Sequence, residues 1–239
     1  MKKALVTGGS GVIGSAICEA LANEGLHVIV HANQNLDRAK QVVEKIHSAG
    51  QSAETACFDV SDPKATSHHL GNILESGPVQ VLVNNAGIHD DATMAGMSSE
   101  QWDRVIQTTL NGFFNVTHPL LLPMIRSRWG RIISISSITG VAGNRGQTNY
   151  AAAKSGLHGA SKSLSKEVAS RGITVNVVAP GIIQSSSTDE HFSDIDVKNL
   201  IPMKRRGTPQ EIADVVVFLA SKKASYISGQ ILNVNGGMC

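Results

Sequence analysis

The chain has 239 residues, a length that suits one large α/β domain, since such domains often reach roughly 200–250 residues. Apolar residues make up 41% and charged residues 17%, which is the composition of a folded domain; with aromatics at only 4%, its core must be aliphatic. The net charge of +2 argues against a general nucleic-acid binder. No uncharged apolar run reaches the ~18 residues of a membrane span, and the run after Met1-Lys2-Lys3 is too short for a signal peptide. Cys18, Cys57 and Cys239 are scattered, with no Cys-x-x-Cys, and read as reduced, structurally inert thiols in a cytoplasm.

Short apolar runs alternate with segments of helical spacing. The runs are Ala4–Thr7, His27–His31, Ser52–Phe58, Val79–Asn84, Arg131–Ser136, Thr174–Val178 and Gln230–Val234, most of them rich in Val, Ile and Leu as fully buried parallel strands are. The helical segments are Ile13–Asn23, Leu36–Ala49, Pro63–Glu75, Trp102–Arg126, Asn149–Ser170 and Gln210–Ser221. Such alternation over residues 1–239 predicts a single α/β domain, a doubly wound, mostly parallel, Rossmann-like sheet with helices on both faces. The polar stretch Gln184–Asn199 follows a strand whose carboxyl end should face a ligand, so it is expected to be a mobile lid over the site.

The first strand runs into Thr7-Gly8-Gly9-Ser10-Gly11-Val12-Ile13-Gly14 and a helix. Backbone N–H groups and a positive helix end there suit a pyrophosphate. The second strand ends Val30-His31-Ala32-Asn33-Gln34-Asn35, with no carboxylate before Asp37 to hold the ribose hydroxyls of the unphosphorylated dinucleotide. Asn33 is placed to donate to a 2′-phosphate, and His31 or Arg38 to add positive charge, which favours NADPH. Asp59 is expected to accept from the adenine amino group, leaving Ser61 or Asp62 as the helix N-cap. In Asn84-Asn85-Ala86-Gly87 the amides would tie neighbouring strands while the glycine lets the backbone pass close to a ribose.

The fifth strand ends in Ser134-Ile135-Ser136-Ser137, and Tyr150 and Lys154 follow one helical turn apart. A Lys on the same helix face favours tyrosinate and is expected to bring the Tyr pKa down toward working pH. The Tyr would pass a proton to or from a carbonyl or alcohol oxygen, with Ser137 donating a second hydrogen bond to it. Held beside a nicotinamide, such an oxygen implies hydride transfer.

With these residues in place the chain resembles the short-chain dehydrogenase/reductase family over essentially its full length. The likeness rests on the Thr7–Gly14 loop, Asp59-Val60, Asn84–Gly87, Ser137, Tyr150, Lys154 and Pro180-Gly181. Residues 146–154, 167–181 and the tail Asn233-Val234-Asn235-Gly236-Gly237-Met238 are most similar to β-ketoacyl-acyl-carrier-protein reductases of fatty-acid synthesis; residues 141–146 and 201–205 look like the reductases of aryl polyene pathways. The resemblance implies a homotetramer that reduces a 3-oxoacyl chain on acyl carrier protein with NADPH. It also implies cofactor contacts from Gly8, Ser10, Gly11, Val12, Ile13, Gly14, Asn33, Asp59, Val60, Asn85, Ala86, Gly87, Tyr150, Lys154, Pro180, Gly181 and Ile183. In the family a hydroxyl at Ser185 meets the nicotinamide carboxamide, and the positions of Arg128 and Arg171 contact the carrier.

This chain departs from the family twice. Val12 stands where the loop has glycine, harmless if Gly11 takes the unusual dihedrals. Thr109 stands at the position of the catalytic Asn, while the nearest Asn, Asn111, lies about 200° away round a regular helix. Two other function classes stay open: a dehydrogenase of a free small-molecule alcohol, and a nucleotide-binding protein without catalysis. The nine histidines form no ligand pattern, so no metal is expected. Arg126, Arg128, Arg131 and Arg171 read either as a solvated face or as a dock for the acidic carrier.

Overall fold

A computed structural model describes residues 1–185, 188 and 193–239. The strands β1 (Lys3–Val6), β2 (His27–Ala32), β3 (Ala53–Cys57), β4 (Val79–Asn84), β5 (Gly130–Ile135), β6 (Ile173–Pro180) and β7 (Ile231–Val234) form one parallel sheet in the order 3-2-1-4-5-6-7. Each lies within two residues of its expected run. Successive residues of a strand point to opposite faces, and both faces are covered. Ala4, Val6, Val28, Val30, Val81 and Val83 pack on one side with Ile17, Leu21, Ile212 and Val216. Leu5, Ile29, Leu82, Ile132 and Val175 pack on the other with Leu70, Val116 and Leu120. This two-sided burial is why the strands read as continuous apolar runs.

The helices are α1 (Val12–Asn23), α2 (Leu36–Ser48), α3 (Pro63–Glu75), α4 (Ser99–Ile106), α5 (Gly112–Ser127), α6 (Thr139–Ala142), α7 (Thr148–Val168), α8 (Asp194–Leu200) and α9 (Pro209–Ala220). Side-chain caps set several starts: Asn35 for α2, Asp62 for α3, and capping boxes Ser98/Gln101 and Thr208/Glu211 for α4 and α9. The single helix expected over Trp102–Arg126 is instead α4 and α5 joined by a π-helical turn, Gln107–Asn111. Of the expected lid, residues 186, 187 and 189–192 lie outside the described residues. Its second half is α8, started by a Ser193/Asp196 capping box and anchored by buried Val197. Seven residues are too few to show a helical period among polar neighbours. No helix among the described residues is long and apolar enough to cross a membrane.

The order of the sheet reverses between β1 and β4, so the carboxyl ends of β1, β4, β5 and β6 open on one crevice.

Candidate active site

The glycine-rich turn is a backbone device. Gly8 adopts φ +61°, and a Cβ on Gly14 would lie 2.2 Å from the Gly8 carbonyl oxygen, so only glycine lets α1 start this close to β1. Gly11 is the N-cap and supplies no side chain, which leaves the first N–H groups of α1 without a capping partner. That cradle fits a pyrophosphate. Gly11 itself has φ −79° and the positive φ falls on Gly8, so the condition set for a harmless Val12 is not met. Val12 is 42% exposed at the first position of α1.

Asn85 fastens the loop from β4. Its Nδ2 donates to the carbonyls of Thr7 (2.9 Å) and Gly8 (3.0 Å), and the Thr7 hydroxyl accepts from the backbone N–H of Asn85 (2.9 Å) and Ala86 (3.0 Å). Asn84 is buried and donates to the Thr117 hydroxyl on α5. Asp62, not Ser61, caps α3. Asp59 accepts from the Ser61 backbone and hydroxyl with Oδ1, while Oδ2 accepts nothing among the described residues and stays available to an adenine. Val60 is buried against Gly112.

His31 corrects the expectation of added positive charge. It is 1% exposed. Its Nδ1 accepts from Gly8 N–H (3.1 Å), and its Nε2 lies 2.8 Å from the Phe58 carbonyl. Both bonds together require the neutral Nε2–H tautomer. Burial pushes its pKa down to about 4, so at neutral pH His31 is an uncharged strut between the glycine-rich turn and the end of β3. Asn33 and Arg38 remain exposed beside it.

At the other end of the crevice, Ser137 follows β5, and Tyr150 and Lys154 lie on the first turns of α7. The Thr139 N–H donates to Ser137 Oγ (3.1 Å), fixing that oxygen. Lys154 is 3% exposed; its Nζ donates to the Ile135 carbonyl (2.8 Å) and sits 5.5 Å from the centre of the Tyr150 ring. Burial draws Lys154 down to about 8. The Tyr150 pKa is raised, not lowered: burial dominates, facing Ser137 opposes it, and Asp91 adds to it. The expected pull from Lys154 is missing because the ammonium is turned to the β5 carbonyl.

Thr109 lies on the inner side of the π-helical turn, 3% exposed. A Cβ built on Gly87 would be 3.1 Å from Lys154 Nζ and 3.5 Å from Thr109 Oγ1, which places the lysine and threonine around one small space. The Thr109 hydroxyl has no hydrogen-bond partner among the described residues. It borders a cavity of about 10 Å³ shared with Thr7, Val60 and Asn84, about the size of one water. Asn111 is exposed and bonds Gln107.

Pro180 and Gly181 close the β6 end: Pro180 accepts from Ile138 N–H, and a Cβ on Gly181 would strike Asn235 at 2.8 Å. Ile183 is buried in the apolar core, so any cofactor contact there falls to its backbone. The Ser185 hydroxyl exchanges hydrogen bonds with Thr188. Three residues at this site escaped the sequence reading. Asn149, fully buried, receives the Tyr150 N–H and donates to the Asp90 and Gln101 carbonyls. Gln147 bridges Thr139 and Asp91. His89 packs edge-on to Tyr150, with ring centres 6.2 Å apart. The sequence signal for Gln147 and Asn149 was their place in the 146–154 segment that carries the resemblance, and for His89 its position after Gly87.

Arg128 and Arg171 both lie at the amino-terminal edge of β5 and β6, and Arg128 Nη2 donates to the Ser170 carbonyl. Arg131 does not belong to a solvated face: it is 2% exposed.

The sequence matches the short chain dehydrogenase family over residues 2–196. It is 43% identical to the 3-oxoacyl-[acyl-carrier-protein] reductase FabG of Aggregatibacter actinomycetemcomitans, covering 98% of each chain. It is 46% identical to the FabG of Salmonella typhimurium, over 99% of this chain and 97% of that one. Nodulation protein G of Azospirillum brasilense is 44% identical over 99% of this chain and 98% of its own. The chain therefore belongs to the short-chain dehydrogenase family, oxidoreductases that work with a nicotinamide cofactor.

Proposed function

We propose that this protein reduces a 3-oxoacyl thioester on acyl carrier protein to the 3-hydroxyacyl product, using NADPH, in building a fatty-acid or polyene chain. The observation that carries the reading is the placement of Ser137, Tyr150 and Lys154 at one end of a crevice whose other end is the Gly8–Gly14 cradle. The full-length relatives named as 3-oxoacyl-[acyl-carrier-protein] reductases supply the substrate class.

The dinucleotide, when bound, supplies the hydride that reaches the ketone carbon. The chain's residues manage the oxygen. Ser137 donates a hydrogen bond to it, and Tyr150 donates both a hydrogen bond and then its proton. The raised Tyr150 pKa keeps the phenol protonated at neutral pH, as a reducing direction requires. Lys154, with a pKa near 8, still carries its ammonium at pH 7, held by the Ile135 carbonyl 5.5 Å from the Tyr150 ring centre. Asn33 and Arg38, with no carboxylate between the end of β2 and Asp37, favour a 2′-phosphate.

Arg128 and Arg171 form the dock for the acidic carrier. They lie opposite the strand carboxyl ends, so they serve a neighbouring subunit's crevice in a homotetramer. The apolar side chains Phe114 and Leu122, 62% and 61% exposed on α5, support such assembly. The three free thiols suit a cytoplasmic setting.

The test is NADPH oxidation measured with acetoacetyl-carrier protein, a conjugated analogue and a panel of free ketones. The carrier-bound substrates are expected to win in kcat/KM. Preference for a free ketone returns the reading to a small-molecule dehydrogenase, and no turnover with any ketone returns it to a nucleotide-binding protein. Charge reversal at Arg128 and Arg171 should raise KM for the carrier substrate alone.

A further inference from the structure

A second cavity, of about 220 Å³, opens at the edge of the sheet opposite the crevice. It lies between the ends of α1 and α9 and the starts of β1 and β5. Its walls include Lys2, Glu24, Trp129, Val217 and Lys222. The Lys2 ammonium stands 3.2 Å from the centre of the Trp129 ring, and the Arg131 guanidinium carbon 4.5 Å from it. Arg131 gives its donors to backbone carbonyls only: Nε to Ser221 (3.3 Å), Nη1 to Gly130 (2.7 Å) and Gly172 (3.3 Å). Its Nη2 takes no acceptor among the described residues.

Carbonyls satisfy the hydrogen bonds of a guanidinium without neutralising it. Among the described residues no carboxylate comes within ion-pair distance of Lys2, Arg131 or Lys222. Glu24, also in the wall, pairs with none of them among the described residues. Elsewhere the chain does match cations to acids, as in Lys45–Glu19, Arg205–Glu211 and Arg104–Asp90. Here burial and mutual repulsion act unopposed. The Lys2 pKa is lowered by burial, then by Lys222 and Arg131, and that of Arg131 is lowered by burial. Like charges held together without a counter-charge repel one another, and an anion entering the cavity relieves that repulsion. The indole brings two of the three cations together through its ring.

We propose that this cavity is a binding site for a small oxyanion, a phosphate or carboxylate compound, held by Lys2 and Lys222, with the Arg131 guanidinium against the Trp129 ring adding positive charge nearby. The site lies outside the crevice, so its ligand does not compete with the dinucleotide. The proposal is independent of what the enzyme reduces.

The test is fluorescence titration of a Trp102→Phe variant, in which Trp129 is the remaining tryptophan, with NADP⁺ saturating the dinucleotide site. Inorganic pyrophosphate and citrate are the probes, in separate arms at low salt, against sodium chloride of matched ionic strength. A saturable change with either probe is expected, and the stronger arm identifies phosphate or carboxylate as the preferred group. Lys2→Gln with Lys222→Gln should weaken it at least tenfold and leave ketone reduction unchanged. Absence of saturation above the salt control in both arms overturns the proposal. So does unchanged affinity in the double variant, which would place the anion elsewhere.

Discussion

The two ends of the crevice are built from different material. At the cofactor end the main chain does most of the work: Gly8 at φ +61°, Gly14 with no room for a Cβ, and the Thr7 and Asn85 side chains bonded to backbone. At the chemical end side chains carry the site, and their properties are set by burial: a tyrosine pushed up, a lysine pulled down to about 8, and a threonine hydroxyl without a partner. A backbone-built site is broken by adding one methyl group. A side-chain-built site keeps its shape while losing its chemistry. Each prediction below tests one side of that contrast.

The largest effect is expected at the chemical end. Tyr150→Phe removes the proton donor and little else, because the ring stays packed against His89. Turnover should fall at least about 10²-fold while NADPH affinity, measured by fluorescence, stays within twofold. Turnover near wild type would remove Tyr150 from the mechanism.

At the cofactor end, Gly14→Ala should do the opposite. Its Cβ would meet the Gly8 carbonyl at 2.2 Å and Asn85 Nδ2 at 2.9 Å, so the turn must shift. NADPH KM should rise more than tenfold, with a lower Tm and a smaller change in kcat. Unchanged NADPH affinity would show that the loop is not the cradle described.

His31→Gln probes the joint between the two modes, since here a side chain supports the backbone-built end. In the folded protein His31 titrates at about 4; unfolded, it should return to its ordinary value near 6.5. Between those values the unfolded chain binds more protons, so stability falls as pH drops from 6.5 toward 4 and is intact above 6.5. The full shift corresponds to about 3 kcal/mol. Denaturant melts across that window should fall less steeply for His31→Gln than for wild type. Identical slopes would mean that His31 is not the buried neutral strut.

The same contrast explains what was legible beforehand. Backbone devices leave marks in sequence, because a turn needing glycine contains glycine. The Gly8–Gly14 loop, the strand ends and the two-sided burial of β1 and β4 were readable for that reason. Tyr150 and Lys154 were readable as a pair, but not the direction of the tyrosine shift, since that depends on where Lys154 Nζ turns after α7 packs on β5. His31 misled in the same way: nothing local says that a histidine at a strand end will be 1% exposed. The π-helical turn was invisible because one widened turn does not disturb the apolar period on either side.

The smallest expected effect concerns that turn. It presents Thr109, not Asn111, to the space around Gly87 and Lys154. Thr109 Oγ1 borders a cavity with room for about one water, and its hydroxyl has no partner among the described residues. A longer amide at this position would reach further toward Lys154 and fill part of that space. Thr109→Asn is therefore expected to leave kcat unchanged or raise it a few-fold. Asn111→Ala should change kcat by less than twofold, because Asn111 is exposed and its side chain bonds only Gln107 among the described residues. A tenfold loss in Asn111→Ala with an unchanged Tm would make Asn111 the residue behind Lys154. A tenfold loss in Thr109→Asn with NADPH affinity intact would show instead that the space beside Thr109 must stay open, and that the small hydroxyl is itself the adaptation.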